Sequence, residues 1–173
     1  MGKILRIAFL APTGYGKTTA AKLIEKNFWA RNIKLASPLY DMQNLIYDRL
    51  HVACTGQDGE LLQFLGAKIQ KDYPDFLFEE FLRVEENVLR NPQIEIIVND
   101  DCRPHNYLFL KKHGFLFVGI KGGRHSREDK TPIDPMHEVE WRQSPPTDYL
   151  VENTGDISVY EKNLVQLING LKD

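Results

Sequence analysis

The feature that most constrains this chain lies near its start, where the apolar run Ile4–Leu10 leads through a glycine-rich turn into an amphipathic pattern. The turn ends in Gly14-Tyr15-Gly16-Lys17-Thr18, which matches the last part of the pattern G-x-x-x-x-G-K-[ST]. In such a turn, consecutive backbone N–H groups point at phosphate oxygens, and the next helix directs the positive end of its dipole at the same anion. The sequence therefore predicts a phosphate-binding loop between a strand and a helix. The alternative is a chance glycine-rich turn with a solvated lysine.

The loop departs from the pattern at its first glycine, which is replaced by Ala11. If this residue has a negative φ, alanine fits without strain, whereas a positive φ would cost about 1 kcal/mol. Pro12 removes one N–H group but stiffens the entry into the loop. We expect the loop to keep its shape in either case.

A loop of this kind predicts a nucleoside triphosphate bound with Mg²⁺. Lys17 is placed for the β- and γ-phosphates and Thr18 for the metal. The residues that we expect to contact the triphosphate share this one turn, and they are Thr13, Gly14, Tyr15, Gly16, Lys17, Thr18 and Thr19.

Five short apolar segments, rich in β-branched or aromatic residues, alternate with helical patterns along the chain. They are Ile4–Leu10, Ile33–Ala36, Ile94–Val98, Phe115–Ile120 and Tyr149–Val151. Buried strands that alternate with helices indicate a parallel α/β sheet. With 173 residues, of which 42% are hydrophobic, the chain fits one domain over residues 1–173.

About sixty residues separate the second and third of these segments, several times the length of one crossover helix. Helical patterns occupy Leu39–Leu50 and Glu60–Lys71, and a further helix starts at Pro74-Asp75 and ends near Asn91. We interpret residues 37–91 as a helical insertion that faces a substrate.

Charge and composition exclude several classes of protein. A net charge of −2 lacks the basic excess that binding to a nucleic acid polymer needs. Cys54 and Cys102 are far apart, which predicts neither a disulfide framework nor paired zinc ligands and favours a cytoplasmic location. The apolar runs are too short to span a membrane. A homodimer is compatible with the sequence, which does not decide the oligomeric state.

An acidic turn follows the third apolar segment, where "IEIIV" runs into "NDDCRPHN". Asp100 and Asp101 therefore stand at the carboxyl end of a strand, where α/β sheets bind ligands. Both are candidates for the magnesium site, and the alternative is an Asx turn or a helix cap. Arg103 could contact a phosphate or simply pair with Asp101.

Several segments together resemble the phage-type deoxynucleoside monophosphate kinases, within the wider group of P-loop nucleoside monophosphate kinases. These segments are "GYGKTT", "LLQFLG", "DCRPHN", "GFLFVGIKG", "HEVE" and "DYLVENTG", which span nearly the whole chain in order. The resemblance implies a P-loop kinase fold with about five parallel strands, a helical acceptor-binding region and a lid. It also implies transfer of the γ-phosphoryl group of ATP to a nucleoside monophosphate.

The same resemblance implies roles for residues outside the loop. A basic, glycine- and proline-flanked lid at about residues 121–140 would supply Arg124 and Arg127, which join Lys17 and Asp101 in the catalytic set. Asn153 would lie near the adenine, its alternative being an ordinary turn. The residues implied at the acceptor are Gln63, Lys68, Lys71 and Arg103.

The chain departs from the family at the acceptor side. Lys68 and Lys71 stand near the place of an arginine, and Tyr107 stands where the family tends to have glutamate. Lysine meets a phosphate as a point charge and lacks the planar fork of arginine. Two other functions therefore stay open: a kinase for another small molecule, such as dephospho-coenzyme A or a modified nucleotide, and a non-catalytic ATP-binding regulatory module.

Overall fold

The protein is seen in a computed structural model that describes residues 3–122 and 145–172. Arg124, Arg127 and most of the predicted lid lie outside the described residues. The strands are β1 (Leu5–Leu10), β2 (Ala30–Asn32), β3 (Ile96–Asn99), β4 (Leu116–Gly122) and β5 (Tyr149–Asn153). The helices are α1 (Lys17–Asn27), α2 (Ser37–Arg49), α3 (Gly59–Asp72), α4 (Phe76–Leu89), α5 (Tyr107–Lys112) and α6 (Ile157–Lys172), with a 3₁₀ turn at Pro104–Asn106 before α5.

The strands form one five-stranded parallel sheet in the order β2-β3-β1-β4-β5. The predicted parallel α/β fold is thereby confirmed. β1 lies between β3 and β4, and the pair Ala8↔Asn99 brings the ends of β1 and β3 side by side. The phosphate loop and the acidic turn consequently leave the same edge of the sheet as neighbours.

Two apolar layers cover the sheet. On one face, Ala20 and Ile24 of α1 pack with Tyr160, Leu164 and Ile168 of α6 against β1 and β3. The other face packs against α4 and α5 through the buried apolar side chains of Phe81, Tyr107 and Leu110. Alternate residues of each strand contribute to the two layers. Because both faces of the sheet are buried, the strand sequences are continuous apolar runs.

The predicted second strand at Ile33–Ala36 is wrong, because β2 lies at Ala30–Asn32. Ile33 and Leu35 are buried as their apolar character suggests, and Ile33 N still donates to Val98 O (2.8 Å). The backbone N–H groups of Leu35 and Ala36 instead donate to the Asp101 carboxylate. This side chain ends the strand pairing and turns the chain towards α2.

The three helices predicted in the insertion are present, with ends shifted by a few residues. Gln43 of α2 is buried and ties down the α2–α3 connection: its amide nitrogen donates to Gly56 O and its oxygen accepts from Asp58 N, both at 2.9 Å. Asp58 in turn caps α3 by accepting from Leu61 N (3.0 Å). Within 3–122 and 145–172, no helix has the length and apolar composition that crossing a bilayer requires.

Candidate functional site: a phosphate loop beside an acidic turn

The loop between β1 and α1 is shaped by two glycines with positive φ, 89° at Gly14 and 97° at Gly16. Ala11 is not among the residues with positive φ, and its side chain is buried in the core. Alanine therefore occupies the place of the first glycine without backbone strain, as an ordinary strand-exit residue. Thr13, Thr18 and Thr19 are exposed on the loop and the first turn of α1, where a ligand can reach them.

The end of β5 and the start of α6 support the loop from behind. Asn153 Nδ2 donates to Tyr15 O (3.1 Å), and Asn153 Oδ1 accepts from Gly155 N (3.2 Å). Tyr160 OH lies 3.4 Å from Gly16 O. The Asn153 amide is thus directed at the backbone of the loop and fixes its shape.

The two loop glycines offer a matched pair of substitutions. A Cβ at Gly16 would lie 2.6 Å from Asn153 Nδ2, whereas a Cβ at Gly14 would meet nothing within 4 Å. Both alanine variants carry the strain of positive φ, about 1–2 kcal/mol. We expect Gly16→Ala to lower the thermal midpoint and weaken ATP binding more than Gly14→Ala, because it also displaces Asn153. Calorimetric unfolding and ATP titration measure both quantities. If the two variants lost equally in thermal midpoint and ATP affinity, the support of the loop by Asn153 would be contradicted.

Lys17, the first residue of α1, folds its side chain back across the loop. Its ammonium donates to Ala11 O (2.5 Å) and Pro12 O (3.0 Å). The pKa of Lys17 is lowered to about 8, chiefly by burial and secondly by the charge of Arg103, while Asp100 and Asp101 oppose the shift. Lys17 therefore shares one electrostatic environment with the acidic turn.

A pKa near 8 makes Lys17 unusually reactive. Near pH 8 about half of its amine is neutral, whereas an ordinary lysine with a pKa near 10.4 remains almost wholly protonated. We expect an acylating reagent at pH 8 to modify Lys17 before the exposed Lys22, as read by peptide mass spectrometry, and ATP to protect it. Because the unfolded chain binds more protons between pH 8 and about 10.4, Lys17 should also make the fold more stable as pH rises through that window. Modification of Lys22 first would contradict the lowered pKa.

Asp100 is buried at the carboxyl end of β3. The Lys34 ammonium lies 3.3 Å from its Oδ2 as an ion pair. Neither carboxylate oxygen accepts a hydrogen bond from any residue in the described part of the chain. Two acceptor oxygens are thus held ready beside the phosphate loop.

Asp101 has the opposite environment, because its carboxylate is engaged with the protein itself. Oδ1 accepts from Leu35 N (3.0 Å) and Asn99 Nδ2 (2.6 Å), and Oδ2 accepts from Ala36 N (2.7 Å). Burial raises the pKa of Asp101, and these three hydrogen bonds oppose the rise. Of the two candidates for the metal, the geometry favours Asp100, while Asp101 joins β3 to the connection between β2 and α2.

Arg103 and Tyr40 complete this part of the site. Arg103 is half-buried at the start of the 3₁₀ turn, and its positive charge contributes to the lowered pKa of Lys17. Burial raises the pKa of the Tyr40 hydroxyl, which also responds to Lys34, Asp101, Arg103 and Asp100. The charged cluster at the carboxyl ends of β1, β2 and β3 therefore comprises Lys17, Lys34, Asp100, Asp101, Arg103 and Tyr40.

The residues implied at the acceptor by the resemblance divide into two groups. Arg103 belongs to the charged cluster. Gln63, Lys68 and Lys71 are exposed on α3, and Lys68 pairs with Asp72 of its own helix at 2.5 Å. α3 packs against α2, where Gly66 lies beside Leu39.

Lys34 was missed by the sequence reasoning, although it left a signal. It stands between Ile33 and Leu35, which are both buried, while its own side chain is partly exposed. A lysine that alternates with core residues just after a strand of a parallel sheet is placed at the ligand-binding edge.

The donor set fits a magnesium ion shared with phosphates. Mg²⁺ is commonly held by one or two carboxylates together with substrate phosphates and water. Within the described residues, no group of three or more His, Cys, Asp or Glu side chains could hold a metal ion. Asp100, whose oxygens accept no hydrogen bond from the described residues, and the Thr18 hydroxyl are the groups that would hold Mg²⁺ here.

Comparison with known proteins supports the fold. No protein-family model matches this sequence, and no curated protein sequence matches it either. Among solved structures, TT1252 from Thermus thermophilus is 17% identical with a TM-score of 0.58, and the match covers 98% of each chain. A sugar kinase from Janibacter sp. HTCC2649 is 12% identical with a TM-score of 0.50, covering 96% of this chain and 95% of that one. At these identities the likeness shows the fold alone, the parallel α/β fold of P-loop kinases.

Proposed function

We propose that this protein transfers the γ-phosphoryl group of ATP to a nucleoside or deoxynucleoside monophosphate, giving ADP and the nucleoside diphosphate. The observation behind this proposal is the meeting of a phosphate loop with a charged cluster in which the Asp100 carboxylate accepts no hydrogen bond from the described residues. A solved structure of the same fold is titled a sugar kinase, which agrees with phosphoryl transfer to a small molecule. The motif resemblance points to the monophosphate as acceptor.

On the ATP side, each residue has a role that follows from its position. The N–H groups of the loop and the first turn of α1 hold the β- and γ-phosphates. Lys17, at the start of α1, balances the negative charge that spreads over the transferred group. Asp100 and Thr18 would hold Mg²⁺, which would supply positive charge to offset that of the phosphates. Asn153 and Tyr160 keep the loop in the shape that these contacts need.

On the acceptor side, the charges favour a phosphate over a neutral hydroxyl. Lys34 and Arg103 add two positive charges to that of Lys17. An acceptor that carries its own phosphate brings compensating negative charge and an oxygen that is already ionised, so it needs no general base. Tyr40, half-buried beside these cations, offers a ring and a hydroxyl to the acceptor.

A coupled assay of ADP release tests the proposal. The acceptor panel holds ribo- and deoxyribonucleoside monophosphates, dephospho-coenzyme A and a neutral sugar, with a control that lacks acceptor. We expect release that depends on a monophosphate and prefers one base. Transfer to dephospho-coenzyme A or to the sugar alone would replace the proposed acceptor class, and ADP release that ignores every acceptor would favour a regulatory ATP-binding module.

A further inference from the structure

The Asp100 carboxylate is an unusual group to find inside a protein. Its side chain has no exposed surface, and neither oxygen accepts a hydrogen bond within residues 3–122 and 145–172. A buried charge in this position is costly unless another charge compensates it. The neighbouring Asp101 shows the ordinary solution, since backbone and side-chain N–H groups satisfy it.

Lys34 supplies the compensation for Asp100. Its ammonium is 3.3 Å from Oδ2, at a distance of an ion pair but without the geometry of a hydrogen bond. The Lys34 side chain keeps 32% of its surface exposed, while that of Asp100 has none. The lysine is thus the partner that can withdraw into solvent, and the aspartate is the partner that cannot.

Lys34 occupies a position in which it would compete with a metal ion for the Asp100 carboxylate. A cation that binds Asp100 from the phosphate loop must approach the same two oxygens. Lys17 and Arg103 already bring two positive charges to this side. With Lys34 still in place, a divalent ion would add its charge to a cluster that already holds three cationic side chains.

We propose that Lys34 is a built-in counter-ion of Asp100, whose carboxylate it holds in position until a divalent cation displaces it. The inference rests on the proposed function, because it assigns Asp100 to the magnesium of the ATP site. Lys34 is in this sense a positioning residue: it acts on the metal through Asp100. Once displaced, its ammonium is released beside Arg103 and Tyr40, on the side where the acceptor phosphate is proposed to bind.

The test measures the binding of Mn²⁺, used as a paramagnetic probe for Mg²⁺, to the whole protein with and without ADP. Lys34→Met removes the competing charge, so we expect Mn²⁺ to bind at least about fivefold more tightly than to the unaltered protein. Lys34→Arg retains the charge and should stay close to the unaltered protein. Lys34→Gln is measured in parallel, because it also removes the charge while it retains a polar side chain, should Lys34→Met fail to fold.

Thermal unfolding gives a second readout that does not depend on activity. Without metal, Lys34→Met should have a lower midpoint, because Asp100 then lacks its counter-ion, and added Mn²⁺ should raise that midpoint by more than in the unaltered protein. When Lys34→Met is combined with Asp100→Asn, the midpoint without metal and the rise on adding Mn²⁺ should both match those of Asp100→Asn alone. Lys121→Met is the matched control, since Lys121 pairs with Glu152 at 3.7 Å on the exposed surface.

Unchanged or weaker Mn²⁺ binding in both Lys34→Met and Lys34→Gln would overturn the inference, as would an equal gain in Lys121→Met. These outcomes are separate from the fate of the proposed function. Metal binding and unfolding are measured without acceptor and without phosphoryl transfer. The Mn²⁺ titration can therefore support the role of Lys34 even if the acceptor panel contradicts the proposed function, and the acceptor panel can support the function even if the titration contradicts the role of Lys34.

Discussion

Replacement of Lys17 by alanine should abolish most of the phosphoryl transfer while the fold persists. Removing one preorganised group that stabilises developing charge typically costs 10²–10³-fold in turnover, and we expect a loss of at least about 10²-fold here. The fold should tolerate the change, because burial disfavours the charged amine, as its lowered pKa indicates. Its hydrogen-bond partners are backbone carbonyls of Ala11 and Pro12 at the edge of the loop.

Turnover at saturating ATP and acceptor, together with calorimetric unfolding, checks this expectation. Lys22→Ala is the matched control, because Lys22 lies on the same helix but is exposed. The control should leave both turnover and midpoint nearly unchanged. Normal turnover by Lys17→Ala would contradict the assignment of this loop to phosphoryl transfer. Failure of Lys17→Ala to fold would show that Lys17 is needed for structure.

The parts of the fold that sequence predicts well are those in which local signals agree. At the start of the chain, an apolar strand, two glycines suited to positive φ and an amphipathic helix follow one another, and the observed β1, loop and α1 match them. Asp156, a typical N-cap residue that directly precedes α6, accepts from Ser158 N (2.8 Å) and Val159 N (3.3 Å). In each case the deciding interaction lies within a few residues along the chain.

The second strand shows where local reasoning fails. Ile33 and Leu35 have the apolar, alternating character of a strand, and they are buried. The chain nevertheless leaves the sheet there, because Asp101, 65 and 66 residues further on, binds the N–H groups of Ala36 and Leu35. The strand propensity of a segment does not predict a tertiary contact of this kind, which comes from a distant part of the chain.

The same limit applies to the acidic turn. From sequence, Asp100 and Asp101 are equivalent, because both follow the end of β3 directly. In the structure, Asp101 accepts from the N–H groups of Leu35 and Ala36, whereas Asp100 pairs with Lys34. Which carboxylate is left for a ligand depends on the partners that the fold brings to each face.

This difference predicts that the two acidic residues fail in opposite ways when each is changed to asparagine. Asp101→Asn should mainly lose stability, by about 2–3 kcal/mol, because an amide offers one acceptor oxygen where two backbone N–H groups and the Asn99 amide now donate to a carboxylate. The connection between β2 and α2 would loosen with it. Asp100→Asn should lose less than half as much stability, because no hydrogen bond from the described residues depends on its carboxylate.

In activity the order is reversed. Asp100→Asn removes the charge that would hold Mg²⁺ beside the β- and γ-phosphates, and we expect a loss of turnover of at least about 10²-fold that excess Mg²⁺ does not restore. Asp101→Asn, measured well below its lowered midpoint, should keep a larger share of its turnover than Asp100→Asn. Denaturant unfolding and steady-state turnover on the same two preparations decide the matter. If Asp101→Asn proved the less active and the more stable of the two, Asp101 would take the place of Asp100 at the metal, and the carboxylate bound to the Leu35 and Ala36 N–H groups would have to exchange those partners during the reaction.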